Sequence, residues 1–410
     1  MKVNCMRSLI LARLFGPCLI LMAQMVSAEN AIHIYLDADQ TGARASGLSI
    51  EQGIRTALHE INYTLAGKPV KLIVKDHHGS SVRSKRHLSD FLKDKQALAV
   101  FSGLHSPPLL DNLAFINDNK ILMLDPWAAA GPITRYKKGK NWVFRLSIDD
   151  SKAGEVIVKN ALNEGFKKPY LLLEETGWGK SNFKTMSKAL KNLGLNAVGT
   201  QWFNWNLGQT GAKIILREIK ASGADCILLV ANAHEGKTFA KALLALNADK
   251  RLPIRSHWGI TGGDFPEVIN AELRQGMDLK FLQTRFSFIS SKQTPFSKQV
   301  FRNASTLFPN MIQRKKDIQA PTGFIHAYDL TRLMIAAINN SQFGNDMAKN
   351  RATLRDALEN IKNPVTGLIK IYKQPFKPYN QKEPDAHEAL TIHDLVMAYY
   401  GKQNQIFLDN

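Results

Sequence analysis

Short apolar segments of β type alternate with amphipathic helical segments along almost the whole chain, and this alternation constrains the fold more than any other feature. The pattern predicts strands at 31–36, 70–75, 97–101 and 121–124, with helices between them. Such alternation is typical of a parallel sheet with helices on both faces. One α/β lobe is therefore complete by about residue 145.

A second cycle of the same kind runs to residue 257 and includes a predicted helix at 181–192. Two similar sheets in one chain predict an α/β protein of two doubly wound parallel-sheet lobes, joined by a hinge of several strands. Ligands of such folds bind at the carboxyl ends of the strands. A cleft between the lobes is therefore the expected binding site.

The N-terminus predicts export. Basic residues flank an apolar run at 14–22, which is followed by the small residues Val26-Ser27-Ala28. This order is typical of a signal peptide, here residues 1–28, cleaved before Glu29. The apolar run is shorter than the roughly 18 residues that a membrane-spanning helix needs. We therefore expect an exported protein.

The formal net charge of +19 suggests a nucleic-acid partner at first sight. The basic residues are scattered, however, no nucleic-acid-binding motif is present, and the chain is predicted to be exported. We therefore expect no nucleic-acid partner. The charge is interpreted as promoting solubility and favouring anionic surfaces or ligands.

The sequence lacks the motifs of the common catalytic and metal sites. There is no Gly-x-Ser-x-Gly, no His-Glu-x-x-His and no phosphate-binding loop, so an enzyme is not expected. Asp76-His77-His78 could bind a metal, but adjacent histidines on one strand point to opposite faces, and no matching cluster is present elsewhere. The sequence predicts neither a metal nor a cofactor.

Four stretches of the chain carry a resemblance to a known family. They are Thr41-Gly42 with Glu60-Ile61-Asn62, Phe101-Ser102-Gly103-Leu104-His105-Ser106, Leu124-Asp125-Pro126-Trp127-Ala128-Ala129, and Thr176-Gly177-Trp178-Gly179. Their order and spacing resemble the branched-chain amino-acid receptors of ABC transporters, a group of the type I periplasmic binding proteins. The resemblance covers essentially the whole mature chain. It implies lobes formed by 29–147 plus 284–366 and by 148–283 plus 367–410.

The resemblance also implies ligand contacts in the first lobe. In the family, hydroxyls and backbone N–H groups there hold the α-carboxylate of the ligand, and the matching positions are His105, Ser106, Ala128 and Ala129. Ser106 precedes Pro107 and is explained equally well as a helix N-cap. The two alanines offer only backbone groups. His105 stands where the family has serine, and its imidazole still offers a donor.

Trp178 matches the aromatic residue with which the family's second lobe closes over the ligand. Its neighbours Gly177 and Gly179 suit an exposed turn, so ligand contact is preferred to the alternative of a packed aromatic beside the hinge. The aromatic group at 202–205 could form a stacking platform. Aromatics at the end of a strand more often close a core, and we prefer that interpretation.

The acidic residue that pairs with the ligand's ammonium group in the family is missing near Thr261, since the nearest carboxylate is Asp264. The family's second-lobe tyrosine falls near Asn232, which is followed closely by Glu235. Either Glu235 is the negative partner or the ligand is not a zwitterion, because an unpaired buried ammonium is costly. We expect a small anionic or neutral molecule, carboxylate-bearing or amino-acid-like.

The function implied by the resemblance is that of a periplasmic solute-binding component of an ABC importer. Its expected partners are a small-molecule ligand and an ABC permease in the inner membrane, and the protein is expected to be a monomer. The alternative is a periplasmic receptor that reports its ligand to a signalling or regulatory protein, since both classes use this fold. Both require lobes that close on the ligand by hinge motion.

Overall fold

The computed structural model describes residues 31–409, so the predicted signal peptide lies outside the described residues. In this part of the chain, six strands form the first sheet: β1 (Ile32–Ala38), β2 (Thr64–Leu65), β3 (Lys68–Asp76), β4 (Ala97–Ser102), β5 (Met123–Asp125) and β6 (Val143–Arg145). They lie in the order β2-β3-β1-β4-β5-β6. Neighbouring strands are parallel, except β2 and β3.

The second sheet has seven strands within the described chain. They are β7 (Pro169–Glu174), β8 (Thr200–Phe203), β9 (Cys226–Val230), β10 (Ile254–Ser256), β11 (Leu279–Thr284), β14 (Leu395–Tyr400) and β15 (Ile406–Asp409). Their order is β15-β14-β11-β10-β9-β7-β8, and only β14 and β15 run antiparallel to their neighbours. A small hairpin pairs β12 (Val365–Thr366) with β13 (Ile371–Tyr372).

Helices cover both sheets and connect most of the parallel strands. The α-helices of residues 31–409 are α1 (Arg44–His59), α2 (Ser81–Lys93), α3 (Ser106–Asp111), α4 (Leu113–Asp118), α5 (Asp150–Asn163), α6 (Gly177–Asn192), α7 (Gln209–Ala221), α8 (Ala233–Leu244), α9 (Phe265–Val268), α10 (Ala271–Arg274), α11 (Pro295–Leu307), α12 (Pro321–Asn339) and α13 (Met347–Leu358). Short 3-10 helices lie at Gly131–Thr134, Ala248–Lys250, Trp258–Thr261, Lys315–Asp317 and Ile392–Asp394. The predicted fold, two doubly wound α/β lobes, is confirmed.

The strands that lie centrally in the sheets are apolar because helices cover both of their faces. In β9, all five side chains of Cys226–Val230 are buried, as expected for a parallel strand without a solvent face. Helices α1 and α12 pack closely where Gly53 meets Phe324. A Cβ atom on Gly53 would lie 2.3 Å from the carbonyl oxygen of Phe324, so glycine is required at this crossing.

The chain passes between the sheets near a buried ion pair, Arg145 with Glu388. The guanidinium Nη2 of Arg145 donates to Glu388 Oε1 at 2.6 Å, and Nη1 donates to the carbonyl oxygen of Ala130 at 2.8 Å. Backbone hydrogen bonds join Arg145 to His387 and Ala389 on either side of Glu388. The C-terminal segment thus runs beside β6 before it enters the second sheet as β14. Full hydrogen bonding offsets the cost of burying these charges.

None of the helices in the described part of the chain combines the length and the apolar character needed to cross a membrane.

Candidate functional site

A cavity of about 420 Å³ lies between the two sheets, at the carboxyl ends of their parallel strands. On the side of the first sheet, Asp39 follows β1, Gly79 follows β3 and His105 follows β4. On the side of the second sheet, Trp205 follows β8, and Glu235 lies in the first turn of α8, after β9. Polar and aromatic side chains from two sheets meet here. We call this cavity the main cleft.

The wall from the first sheet is built around the pair of Asp39 and His105. His105 Nε2 lies 3.1 Å from Asp39 Oδ2, and the carboxylate of Asp39 also accepts the backbone N–H groups of Thr41 and Gly42. Burial works against ionisation of Asp39, but its hydrogen bonds with His105 and with the two backbone N–H groups outweigh it and hold its pKa well below the usual range. Asp39 is therefore a fixed negative charge.

The second imidazole nitrogen of His105, Nδ1, is buried and has no hydrogen-bond partner among the described residues. The side chain of His105 is 10% exposed. Its ring lies 5.6 Å from the Trp205 ring, centre to centre, so the two walls of the main cleft touch at this point. Trp205 also packs against Gly79, where its ring would lie 3.6 Å from an added Cβ atom.

A buried carboxylate, Glu174 at the end of β7, lies behind the wall from the second sheet and does not line the main cleft itself. It accepts hydrogen bonds from Asn232 Nδ2 and Thr176 Oγ1, each at 3.1 Å. Burial raises the pKa of Glu174 to about 7, and the negative charge of Glu235 acts in the same direction. Trp205 and His105 act in the opposite direction on this pKa.

Glu235 is the carboxylate of the second lobe that lines the main cleft. It is almost completely buried, and its Oε1 accepts the backbone N–H of Asn206 at 3.0 Å. Asn206 follows Trp205 directly, so this hydrogen bond also fixes the loop that carries the tryptophan. The loop after β8 and the start of α8 therefore form one unit of the wall.

The main cleft is acidic although the whole protein is strongly basic, with a formal net charge of +19. Its lining carries the carboxylates of Asp39, Glu235 and Asp264. Lys237 is the single lysine or arginine among the residues that line it, and its ammonium group is paired with Asp264. Among the described residues that line this cleft, no lysine or arginine is therefore free to pair with an anion.

A second, much smaller cavity lies next to the main cleft and is enclosed mainly by tryptophans. It is lined by Trp127, Trp178 and Trp258. The centre of a water molecule can move within only about 10 Å³ of this cavity. The rings of Trp127 and Trp258 lie 6.2 Å apart, and both side chains are buried. This tryptophan cavity has room for about one water molecule.

Asp39, Asp76 and His78 form the cluster in the described chain that comes nearest to a metal site, with candidate ligand atoms within 4.8 Å of one another. The carboxylate of Asp76 is already engaged by the hydroxyl of Thr41 and by backbone N–H groups. His77 and His78 follow the end of β3, so the expectation that both lie on one strand is wrong. His77 is buried and accepts the N–H of Gly79.

Residues 35–400 match the family model of periplasmic binding proteins. The chain belongs to this periplasmic binding protein family. The predicted relationship to the type I members is confirmed. No curated protein sequence matches the chain.

Solved structures resemble this binding protein over nearly its whole length. A type 1 periplasmic binding protein from Bordetella pertussis has a TM-score of 0.76 and 15% identity, over 93% of this chain and 100% of that one. A solute-binding protein of an ABC transporter from R. palustris, in complex with benzoate, has a TM-score of 0.71 and 15% identity, over 92% of this chain and 95% of that one. A leucine-binding protein from Thermotoga maritima has a TM-score of 0.71 and 16% identity, over 93% of this chain and 98% of that one. At these identities the likeness shows the fold alone.

The structure of this binding protein separates the eight predicted site residues into three groups. His105, Asn232 and Glu235 line the main cleft, whereas Ser106, Ala129 and Trp178 line the tryptophan cavity. Ala128 and Thr261 line neither of these cavities. The N–H of Ala128 donates to Asp125 at 2.9 Å, and the hydroxyl of Thr261 donates to the carbonyl oxygen of Trp258 at 2.8 Å.

Two local expectations for this binding protein are corrected. Ser106 is the first residue of α3 and its hydroxyl accepts the N–H of Ala130, while His105 occupies the N-cap position, so Ser106 is not the N-cap. The predicted exposed turn at 177–179 is the first turn of α6. Trp178 is 5% exposed there and its indole N–H donates to Asp150.

Glu174 and Trp205 are the site residues that sequence reasoning missed. Glu174 was not singled out from the sequence, and the aromatic group at 202–205 was interpreted as closing a core. Trp205 is instead 36% exposed in the main cleft. The signal that could have found both is their position at or just after the carboxyl end of a parallel strand, where ligands of such sheets bind.

Proposed function

We propose that this protein is the periplasmic solute-binding component of an ABC importer, which captures a small molecule in the main cleft and presents it to a permease. Membership of the family and likeness to solute-binding proteins of ABC transporters support this proposal. The observation that carries it is the main cleft itself, a cavity of about 420 Å³ with walls from both sheets. Its size is typical of small-ligand sites.

A ligand that contacts both walls favours the closed arrangement of the lobes, because it binds that state better than an open one. We take the two lobes to be the units built on the two sheets. The contacts support one change to the lobe ranges expected from the sequence. Tyr372 donates to Asp329 of α12, and Phe376 packs on Phe144, so the segment before β14 belongs with the first lobe rather than the second.

We further propose that the mature protein begins at Glu29 and works as a monomer in the periplasm. The sequence pattern of a signal peptide at 1–28 supports this. The intact mass of the protein from a periplasmic extract should correspond to a chain that starts at Glu29. A mass that still includes residues 1–28 would contradict this part of the proposal.

The importer proposal is tested by binding and by uptake. A thermal-shift screen of amines, amino acids, carboxylates and neutral metabolites should find a solute that raises the melting temperature, since a ligand of the native state stabilises it. With that solute, small-angle scattering should show a smaller radius of gyration. A strain without the gene should lose uptake of the solute, and the wild-type gene should restore it.

A matched pair of variants makes the uptake test specific. Trp205→Ala should fail to restore uptake, whereas Phe407→Ala should restore it, because Phe407 is an aromatic of similar exposure, 38% against 36%, on β15 away from the cleft. A solute that binds tightly while its uptake is unaffected by deletion of the gene would contradict the importer and favour the sensory receptor. Absence of any binding solute would contradict both.

A further inference from the structure

We propose that the ligand of the main cleft is an organic cation with N–H groups and no carboxylate, that is, an alkyl or arylalkyl amine and not an amino acid or a carboxylic acid. This inference rests on the proposed function, since it names the class of solute for the same cleft. It differs from the anionic or neutral ligand expected from the sequence, and four features of the cleft support it.

The first feature is the charge on opposite walls. Asp39 projects from the first lobe and Glu235 from the second, and Glu174 lies buried behind them. A cation between these walls is paired with carboxylates from both lobes, so its desolvation is compensated and closure of the lobes is favoured. An anion in the same place would face those carboxylates, and Lys237 is already paired with Asp264.

The groove outside the main cleft does not reverse this balance. It has a volume of about 720 Å³, and its lining adds one arginine, Arg44, and one further carboxylate, Asp317. The main cleft itself is lined by three carboxylate side chains and one lysine. The contrast with the formal net charge of +19 for the whole protein marks a local arrangement rather than the general composition.

The second feature is the exposed aromatic face of Trp205. A tryptophan ring attracts a cation placed over its face more strongly than the other aromatic rings do. Trp205 is the exposed aromatic among the residues that line the main cleft, and the loop that carries it is tied to Glu235 through Asn206. The ring and the carboxylate are therefore held together as the two parts of one cation site.

The third feature is the free nitrogen of His105. When Nε2 donates its hydrogen to Asp39, Nδ1 holds a lone pair and acts only as an acceptor. This atom is buried and has no partner among the described residues, in a side chain that is nine-tenths buried. An N–H group of the ligand satisfies it, which favours primary or secondary amines over quaternary ammonium compounds.

The fourth feature is the lack of a place for a carboxylate. At the positions where the family holds that group, the N–H of Ala128 already donates to Asp125, and the hydroxyl of Ser106 already accepts the N–H of Ala130. Tryptophan rings fill the space beside them and leave about 10 Å³ for the centre of a water molecule. A carboxylate group has three heavy atoms and does not fit where about one water does.

The test compares three ligands that share one side chain and differ only in their charged groups. Phenethylamine, phenylalanine and hydrocinnamate form an aromatic series, and isoamylamine, leucine and isocaproate form an aliphatic one. Calorimetry on the mature protein at about pH 8 should show the amine of at least one series binding about tenfold or more tighter than its zwitterion and its acid. An acid or a zwitterion that binds as tightly as the amine overturns the inference, as does failure of both amines to bind.

A matched pair of charge variants locates the contact. Glu235→Gln keeps an acceptor for Asn206 and should weaken binding of the amine by about tenfold or more. Glu155→Gln removes one exposed carboxylate of α5 far from the cleft and should leave the affinity unchanged. Equal effects of the two variants would overturn the inference. If an acid or a zwitterion binds, closes the lobes and is taken up, the importer proposal stands and only the cation inference fails.

Discussion

The main cleft and the tryptophan cavity lie side by side between the same two sheets, yet they differ in almost every physical respect. The main cleft has a volume of about 420 Å³ and carboxylates on both walls. The tryptophan cavity has room for about one water and is closed by Trp127, Trp178 and Trp258. His105 and Asn232 line both, so a single layer of side chains separates them.

This difference indicates that a residue position can keep its place in the fold of a family while its role changes from ligand binding to internal packing. The turns that resemble the family's carboxylate-binding loops are present, but the N–H of Ala128 is bonded to Asp125, and tryptophan rings enclose the space beside Ser106 and Ala129. The loops after β8 and β9, which are not among the stretches that carry the family resemblance, supply Trp205 and Glu235 to the open space. Tryptophan packing near the hinge and ligand binding are therefore expected to respond to different substitutions.

The largest expected effect is on stability, from a substitution in the tryptophan cavity. Trp258 is buried and its ring contacts those of Trp127, His257 and His326. Trp258→Ala should lower the free energy of unfolding by about 3–5 kcal/mol, because it leaves a cavity in a packed core. Trp205→Ala, in urea denaturation under the same conditions, should cost clearly less, about 1–2 kcal/mol, because part of the ring is already exposed. Similar losses in the two variants would mean that Trp205 is also a core residue.

The second effect is on affinity and should show the opposite pattern. Trp205→Ala should weaken binding of a phenethylamine-type ligand by about 1–3 kcal/mol, the range of a lost aromatic anchor over a cation. Phe407→Ala is the matched control and should leave the dissociation constant unchanged. Isothermal titration calorimetry measures both. An unchanged dissociation constant in Trp205→Ala would contradict the assignment of ligand binding to the main cleft.

The third prediction concerns pH and follows from Glu174, whose pKa is raised to about 7 by burial and by Glu235. A bound cation favours the carboxylate form and lowers that pKa, so binding releases a proton. Affinity for the amine should be highest above about pH 7 and should fall by up to about tenfold per pH unit below it. His105 and Glu235 are the other ionisable side chains that act on Glu174.

The control for the pH effect is Glu174→Gln. This variant keeps an acceptor for Asn232 and Thr176 but cannot titrate. Its dissociation constant should be larger than that of the wild type at about pH 8 and should change less between about pH 8 and pH 6. An equally steep dependence on pH in the variant would assign the effect to other groups.

The smallest expected effect comes from Trp178. Trp178→Phe keeps a ring but removes the indole N–H that donates to Asp150, which retains donors from Asn182 and His257. The free energy of unfolding should fall by about 1 kcal/mol, and the dissociation constant of the amine should not change. A loss of affinity larger than the loss of stability would mean that Trp178 contacts the ligand, as the sequence resemblance predicted.

The fold was predictable from the sequence because its main signals are local. Runs such as Cys226–Val230 are apolar along their whole length, and helical spacing between them marks the covering layers. The start of α6 was missed because glycines around Trp178 suggested a turn. In the structure Thr176 caps the helix, and a Cβ atom on Gly179 would clash with the carbonyl oxygen of Glu174 at 1.7 Å.

The site was only partly predictable, because which strand-end loops enclose the open space depends on contacts between distant segments. His105 and Glu235 were found through the resemblance and by weighing a missing acidic partner. Trp178 was expected to face the ligand, but its orientation depends on Asp150, on another element. The position of Trp205 just after β8 marks a strand end, but whether its ring closes a core or lines a cleft depends on contacts with the first lobe.

A crystal structure of the mature protein with phenethylamine tests the central claim most directly, because it shows which of the two cavities receives the ligand. We predict that the amine nitrogen lies at hydrogen-bond distance, roughly 2.7–3.2 Å, from the Glu235 carboxylate, with Trp205 against the ligand. Trp127 and Trp258 should stay in contact, as they are at 6.2 Å between ring centres. A ligand at Ser106 and Ala129, with those two rings displaced, would contradict the account.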